Sequence, residues 1–527
     1  MPTLAGWHVI TYRPHGLNRL SYPSTASGSY PVPYMSTGAR GIDIAVIVAY
    51  LAAITWFGAQ FRSSQRTLRD YFLGGKTAPW WAIALSIVSA ETSTLTVIGT
   101  PPLAFRGNYG FLQLVFGYLL ARLVIVTFFL PAYFRGEMYT AYELMRVRFG
   151  ERIRRLTAAA FLVLRALAEG VRVFAVSIVI SIVLGSGETA SIAVILCLTL
   201  FYTYEGGLTA VIWTDVVQMA LYVAGAVVSL VLLLHQIPGG WGHVAAVAGP
   251  LGKLQVFDFR LAAPAAFFSR TYSFWAGILG GCFLTTASHG TDQLIVQRLL
   301  AARDCRQSQA ALLASWVVIF VQFTLFLAIG TCLFVLYREQ GQAAPAVLDR
   351  LYPLYIWQSL PAGVAGLVMA AILAAAMSNL SAALNSLAST TVLDLWKPLL
   401  GGFHKTGASA SDAIWLARSR YATVVWGIVL MGVALLARQW GNVLQAGLSI
   451  ASIVYGSLLG VFLLGLFTRR VGEIAAICGM SVGLVLLLYV RFATPIAFTW
   501  YVLIGASATF VTAVLVSLVI TEPAHGA

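Results

Sequence analysis

Between residues 371 and 394 the chain reads AILAAAMSNLSAALNSLASTTVLD. The stretch is apolar enough for a bilayer, yet Ser378, Ser381, Asn385 and Ser389 recur at spacings of three, four and four. At ~100° per residue they share one narrow face of an α-helix. Hydroxyls and a carboxamide in hydrocarbon are costly without partners. The stripe must therefore face other helices, water or a ligand. Small residues surround it (Ala374, Ala375, Ala376, Ala382, Ala383). Close helix packing through interhelical hydrogen bonds is thus the plain alternative to ligand chemistry.

A second polar group lies in WWAIALSIVSAETSTLTVIGT, which runs into Pro101-Pro102. Ser86, Ser89, Glu91, Thr92, Ser93, Thr94 and Thr96 fall inside an otherwise apolar span. Prolines free backbone groups, and nearby hydroxyls can satisfy them, so this span is expected to be broken beside a wet or protein-lined cavity. Glu91 inside the span is either functional or a structural carboxylate paired with Arg165 or Arg172. Arg165, Glu169 and Arg172 share one helix face at spacings of four and three and are expected to neutralise one another. Asp215 either caps an interface or faces inward and attracts a cation. In TTASHGTDQLIVQRLL, the cluster Thr285, Thr286, Ser288, His289, Gly290 and Asp292 suggests a second loosened helix, and Asp292 with Arg298 alternatively marks only the end of a span.

These groups need elements to hold them. Of 527 residues, 59% are hydrophobic and 10% charged, with a mean hydropathy of +0.84. That composition excludes a soluble globular domain. Apolar runs of ~20 residues recur from 41 to 521, so the chain is an all-α polytopic membrane protein. The runs are continuous rather than alternating, which excludes a β-barrel. About thirteen transmembrane helices are expected, near 41–61, 79–105, 110–134, 156–184, 190–204, 210–236, 272–298, 308–337, 361–391, 420–437, 443–467, 473–491 and 496–520. Residues 1–40 read as a polar extension, with Met35 a possible true start. Residues 522–527 read as a short tail.

The net charge of +14 sits in short loops rather than in a nucleic-acid patch. The first loop carries Arg62, Arg66, Arg69 and Lys76, and the third Arg135, Arg146, Arg148, Arg152, Arg154 and Arg155. Alternate loops are poorer, so the rich set is cytoplasmic, the N-terminus outside and the C-terminus inside. The five cysteines and seven histidines are dispersed, with neither a disulfide framework nor a metal or catalytic constellation. GGKT at 74–77 lacks the first glycine of a phosphate loop. No enzyme chemistry and no cofactor are expected.

Counted from the second span, two groups of five spans run about 79–236 and 272–467, each opening on a polar, interrupted span. Five is odd, so the second group is inverted relative to the first. Matching interruptions in two halves of a transporter mark a midplane site. The helices at 41–61, 473–491 and 496–520 fall outside the repeats.

The pieces YFLGGKTAPWWAIALSIVSAETS, TAYELMRVRFG, YTYEGGLTAVIWTDVVQ, GTDQLIVQRLLAARD, AAILAAAMSNLSAALNSLASTTVLD and YGSLLGVFLLGLFTRR resemble the sodium/solute symporter family, in its order. The resemblance implies the LeuT-type fold of two inverted five-helix repeats. It implies sodium-coupled symport of a small polar or carboxylate solute across the cell membrane by alternating access. It also implies a sodium site with carbonyls from Ser89, Thr92 and Ala375 and side chains from Ser378 and Asn379. Asn379 departs from the usual Ser or Thr; an amide oxygen can ligate a hard cation but reaches further. A second cation site would use Asp215 and Ser381, with Ala382 removing one ligand. Solute-lining positions are Glu91, Thr94, Thr96, Thr285, Ser288 and His289. Arg122 is placed either to hold Glu91, to cap a neighbouring helix or to meet a carboxylate. Proton coupling on the same fold and a transporter-like sensor are the alternatives.

Overall fold

The computed structural model describes residues 37–60, 76–135, 141–202, 208–261, 263–396, 408–440 and 442–520. The extension before residue 37, Met35 within it, and the tail at 522–527 lie outside them. Among the described residues every regular element is helical. Long apolar runs fold this way because a helix satisfies its own backbone groups where no water reaches.

Helix α1 covers Thr37–Ala59. The next expected span is two helices, α2 (Trp80–Glu91) and α3 (Thr94–Arg106), bent by 65°. α4 runs Leu112–Tyr133 through a π-helical turn at Ile125–Phe129. α5 (Glu151–Leu184), α6 (Glu188–Tyr202) and α7 (Leu208–Gln236) follow. A π-helical turn at Ala276–Gly280 leads into α8 (Gly281–Gly290), and α9 (Gln293–Leu300) resumes after Thr291 and Asp292. Then come α10 (Cys305–Glu339), α11 (Val364–Thr390), α12 (Ala408–Ala437), α13 (Val443–Phe467), α14 (Glu473–Ala493) and α15 (Tyr501–Val519).

Eight helices among the described residues are long and apolar enough to cross a bilayer unbroken, and α2 with α3 makes a ninth crossing. The remaining expected spans fall on α1, α6, the interrupted α8–α9 and α12, which are helical but outside that count.

The first interruption does not sit at the prolines. It falls at Thr92 and Ser93, and Pro101 and Pro102 lie inside α3. The Glu-Thr-Ser-Thr run places four polar residues in succession there, and the Thr92 hydroxyl turns to the Gln322 side chain of α10. The prolines instead shape a close contact with α10, which flanks both halves of the broken pair. A Cβ added at Gly330 would lie 2.1 Å from the Pro101 carbonyl oxygen. The second interruption is capped by its own sequence: Asp292 Oδ1 accepts from the Leu294 N–H at 2.9 Å.

Gly330→Ala must push α10 off α3 and is expected to destabilise the protein by about 1–3 kcal/mol. Gly432→Ala, where an added Cβ meets nothing within 4 Å, is the control expected to change little. Thermal unfolding of the purified variants in detergent checks both.

Candidate functional site

Both interruptions open onto one cavity of about 140 Å³, and Glu91, Thr96, Tyr118, Arg172, Ser288 and His289 are on its wall. Glu91 ends α2 and His289 is next to last in α8, so each break supplies one polar group to the other. Glu91 Oε2 accepts from Arg122 Nη2 at 2.7 Å and lies 3.1 Å from His289 Nε2. His289 Nδ1 is 2.9 Å from Ser288 Oγ. The neutral Nε2–H tautomer satisfies both contacts, donating to the carboxylate and accepting from the hydroxyl. Arg122 is wholly buried, and its Nε donates to Ser315 Oγ on α10 at 3.1 Å.

The partner of Glu91 is therefore Arg122, not Arg165 or Arg172. Those two project from α5 and share a different carboxylate. Arg172 Nη1 lies 2.7 Å and Arg165 Nη2 3.2 Å from Glu169 Oε1. Arg165 Nη1 also reaches within 3.8 Å of Asp292 Oδ2, which accepts from the Tyr455 hydroxyl at 2.6 Å. Both guanidiniums line the cavity, and the Nε of each has no hydrogen-bond partner among the described residues. Buried donors of this kind are normally filled.

A smaller void of about 10 Å³ touches Ser93, Thr94, Glu169, Arg172, Ala376 and Asn379. It brings the first break beside Ala376 and Asn379 of α11. Thr94 borders this void rather than the larger cavity, whereas Glu91, Thr96, Thr285, Ser288 and His289 border the larger one. Ser89 and Thr92 are buried at the break, and the Thr92 hydroxyl donates to Gln322 Oε1 at 3.0 Å. The α11 backbone carries Ala375 and Ser378, but their side chains lie outside the described residues, as do those of Ala382, Asn385 and Ser389. Asn379 is buried and Ser381 half-buried.

Asp215, on α7, has a different partner from a free cation. Its Oδ2 accepts from Arg298 Nη2 at 3.0 Å and from Ser86 Oγ at 2.7 Å. This knot ties α2, α7 and α9 on one side of the cavity. On the other side lies a vestibule of about 440 Å³ lined by Arg106, Phe111, Tyr272, Asp349, Asn442 and Gln445. Phe111 borders both spaces. Asp349, between α10 and α11, accepts from Asn442 Nδ2 at 2.9 Å and from the Val443 N–H at 3.0 Å. Burial pushes its carboxyl up to about 7, although the Val443 N–H and the Arg106 charge work the other way.

Gln322 and Tyr455 escaped the sequence analysis. A lone Gln inside WVVIFVQFTLFLAIG was the available signal for the first. Nothing local marks Tyr455, since tyrosines are common in membrane helices.

Arg122→Met leaves Glu91 buried without its cation and is expected to cost about 3–5 kcal/mol, most of it recovered by adding Glu91→Gln. A double-mutant cycle on thermal unfolding reads this. Asp349 holds a proton in the folded protein that an unfolded carboxylate, with an ordinary value of 3.8, has already lost. Its contribution therefore makes the fold more stable as pH falls from about 7 towards 4. Asp349→Asn is expected to flatten the melting temperature's pH dependence across that window.

The profile of the sodium:solute symporter family matches residues 71–483. The sodium/sialic acid symporter SiaT of Proteus mirabilis is 27% identical over 480 residues, 88% of this chain and 92% of the relative. The sodium-coupled monocarboxylate transporter 1 of Mus musculus is 30% identical over 445 residues, 83% of this chain and 70% of the relative. A solved substrate-bound, outward-open sodium-coupled sialic acid symporter superposes with a TM-score of 0.80 at 25% identity, over 92% of this chain and 99% of the other. The shared architecture is the LeuT-type fold that the motifs implied. Family profile and fold agree over nearly the whole described chain, which belongs to the sodium:solute symporter family.

Proposed function

We propose that this protein imports a small carboxylate-bearing solute together with sodium, by alternating access. The observation that carries this reading is the convergence of both helix breaks on one cavity, beside a second void where the first break meets Ala376 and Asn379 of α11. Sodium would sit where the first break meets α11, using the carbonyls of Ser89, Thr92 and Ala375 and the side chains of Ser378 and Asn379. The solute would sit in the larger cavity. The unfilled N–H groups of Arg165 and Arg172 support a carboxylate there, because a guanidinium pairs with carboxylate in fixed geometry. The relatives' names, sialic acid and monocarboxylate, are both acids.

With the N-terminus outside and the C-terminus cytoplasmic, the vestibule faces outward and the Asp215–Arg298–Ser86 knot closes the inner path. Inward opening must then break that knot. Arg298 already supplies a cation to Asp215, and Ala382 offers no ligand, which supports one sodium per cycle rather than two. One sodium moved with a monoanionic carboxylate carries no net charge, so the membrane potential contributes nothing and a tenfold sodium gradient, ~1.4 kcal/mol, supports about tenfold accumulation.

Sodium, but not choline at equal ionic strength, is expected to raise the melting temperature of the purified protein, and Ser378→Ala to abolish the rise. In proteoliposomes, an inward sodium gradient should drive accumulation of a carboxylate probe such as lactate or sialic acid. Arg172→Gln is expected to raise its half-saturating concentration about tenfold or more, since a charged hydrogen bond is lost. Absence of any sodium response would sink the ion assignment and direct the search to proton coupling through Glu91 or Asp215. Binding without accumulation would indicate a sensor.

A further inference from the structure

We propose that α1, which lies outside both repeats, positions the ion-site helix α11, and that Asp43 is the residue through which it acts. The proposal rests on the assignment of the sodium site to α11.

Asp43 lies near the start of α1 and is only 1% exposed. Its Oδ1 accepts two backbone hydrogen bonds from another helix: Gly363 N–H at 2.7 Å and Gly366 N–H at 2.8 Å. Gly363 is the capping residue of α11 and has no side chain to cap with; its φ of +84° is open to glycine at little cost. Val364 and Ala365 find the Pro361 carbonyl, both at 3.1 Å. The N–H groups of 363 and 366 find Asp43. One carboxylate from α1 thus does what a serine or aspartate at position 363 would do in an ordinary helix. Its negative charge also meets the positive end of a 27-residue helix dipole.

The backbones are in contact at the same point. A Cβ added at Gly366 would lie 2.5 Å from the Asp43 carbonyl oxygen and 2.6 Å from its Cα. The first turn of α11 is therefore held in height by two hydrogen bonds and in rotation by a crossing that admits no side chain. Asn379 lies thirteen residues further along, about 20 Å at 1.5 Å per residue. A helix transmits slip or rotation at its first turn along its whole length. Metal–ligand distances tolerate only about 0.2 Å. Asp43 is accordingly a positioning residue for the ion, without touching it.

The test compares wild type, Asp43→Ala and Asp43→Asn by thermal stabilisation across a sodium chloride series balanced with choline chloride. Asp43→Ala removes acceptor and charge and is expected to raise the half-saturating sodium concentration about tenfold; Asp43→Asn keeps an acceptor oxygen and is expected to raise it about threefold. A merely structural contact would lower the sodium-free melting temperature and leave the half-saturating concentration unchanged in both variants, which would overturn the proposal. If Asp43→Ala does not fold, the threefold shift in Asp43→Asn decides alone. If wild type itself shows no sodium response, the ion-site reading fails and this proposal with it; if wild type responds and the variants match it, only this proposal fails.

Discussion

An interrupted helix at membrane depth strands backbone and side-chain polar groups where water cannot satisfy them. This chain interrupts two helices and turns each to face the other. The bridge from Glu91 at one break to His289 at the other, with Arg122 behind it, is the interaction on which the centre depends. Without the guanidinium, the carboxylate would be a buried charge. Without the carboxylate, Arg122 would be one. Each is tolerable only because the other is 2.7 Å away.

The remaining buried charges follow the same rule and are distributed rather than pooled. Glu169 serves two arginines on α5, Asp215 serves Arg298, and Asp292 is shared between Arg165 and the Tyr455 hydroxyl. Each cluster joins residues of different helices or fixes the arginines of one. The α5 cluster differs in leaving guanidinium N–H groups unfilled beside an open space. An exposed loop would fill them with water. A cavity wall leaves them for whatever enters.

Access is asymmetric. One side of the cavity is closed by a buried ion pair reinforced by a serine hydroxyl. Across Phe111 lies the vestibule, in which Asp349 joins the start of α13 through Asn442 and Val443, and Asn442 also reaches the Gly99 carbonyl of α3 at 3.2 Å. Polar latches beside the cavity, each made of few bonds, can open at modest cost while the helices stay intact.

The sequence by itself determined the class of the molecule: continuous apolar runs admit only membrane helices, and polar residues inside them mark the sites that need partners. Glu91 and His289 were legible because each is a polar group inside an apolar run, Arg172 because its spacing puts it on one helix face with Arg165 and Glu169, and Asn379 only through the motif shared with the family. Pairing was not legible. Arg122, Arg165 and Arg172 all stood within reach of Glu91 on paper, and only the packing of α4 behind the first break selects Arg122. The prolines pointed to an interruption some eight residues beyond the true one, which falls at Thr92 and Ser93 while both prolines lie inside α3. Asp43 carried no local sign of acting on a glycine pair 320 and 323 positions away. Helical periodicity is written in neighbouring residues; which carboxylate meets which donor depends on how rods cross, and only the tertiary structure decided that.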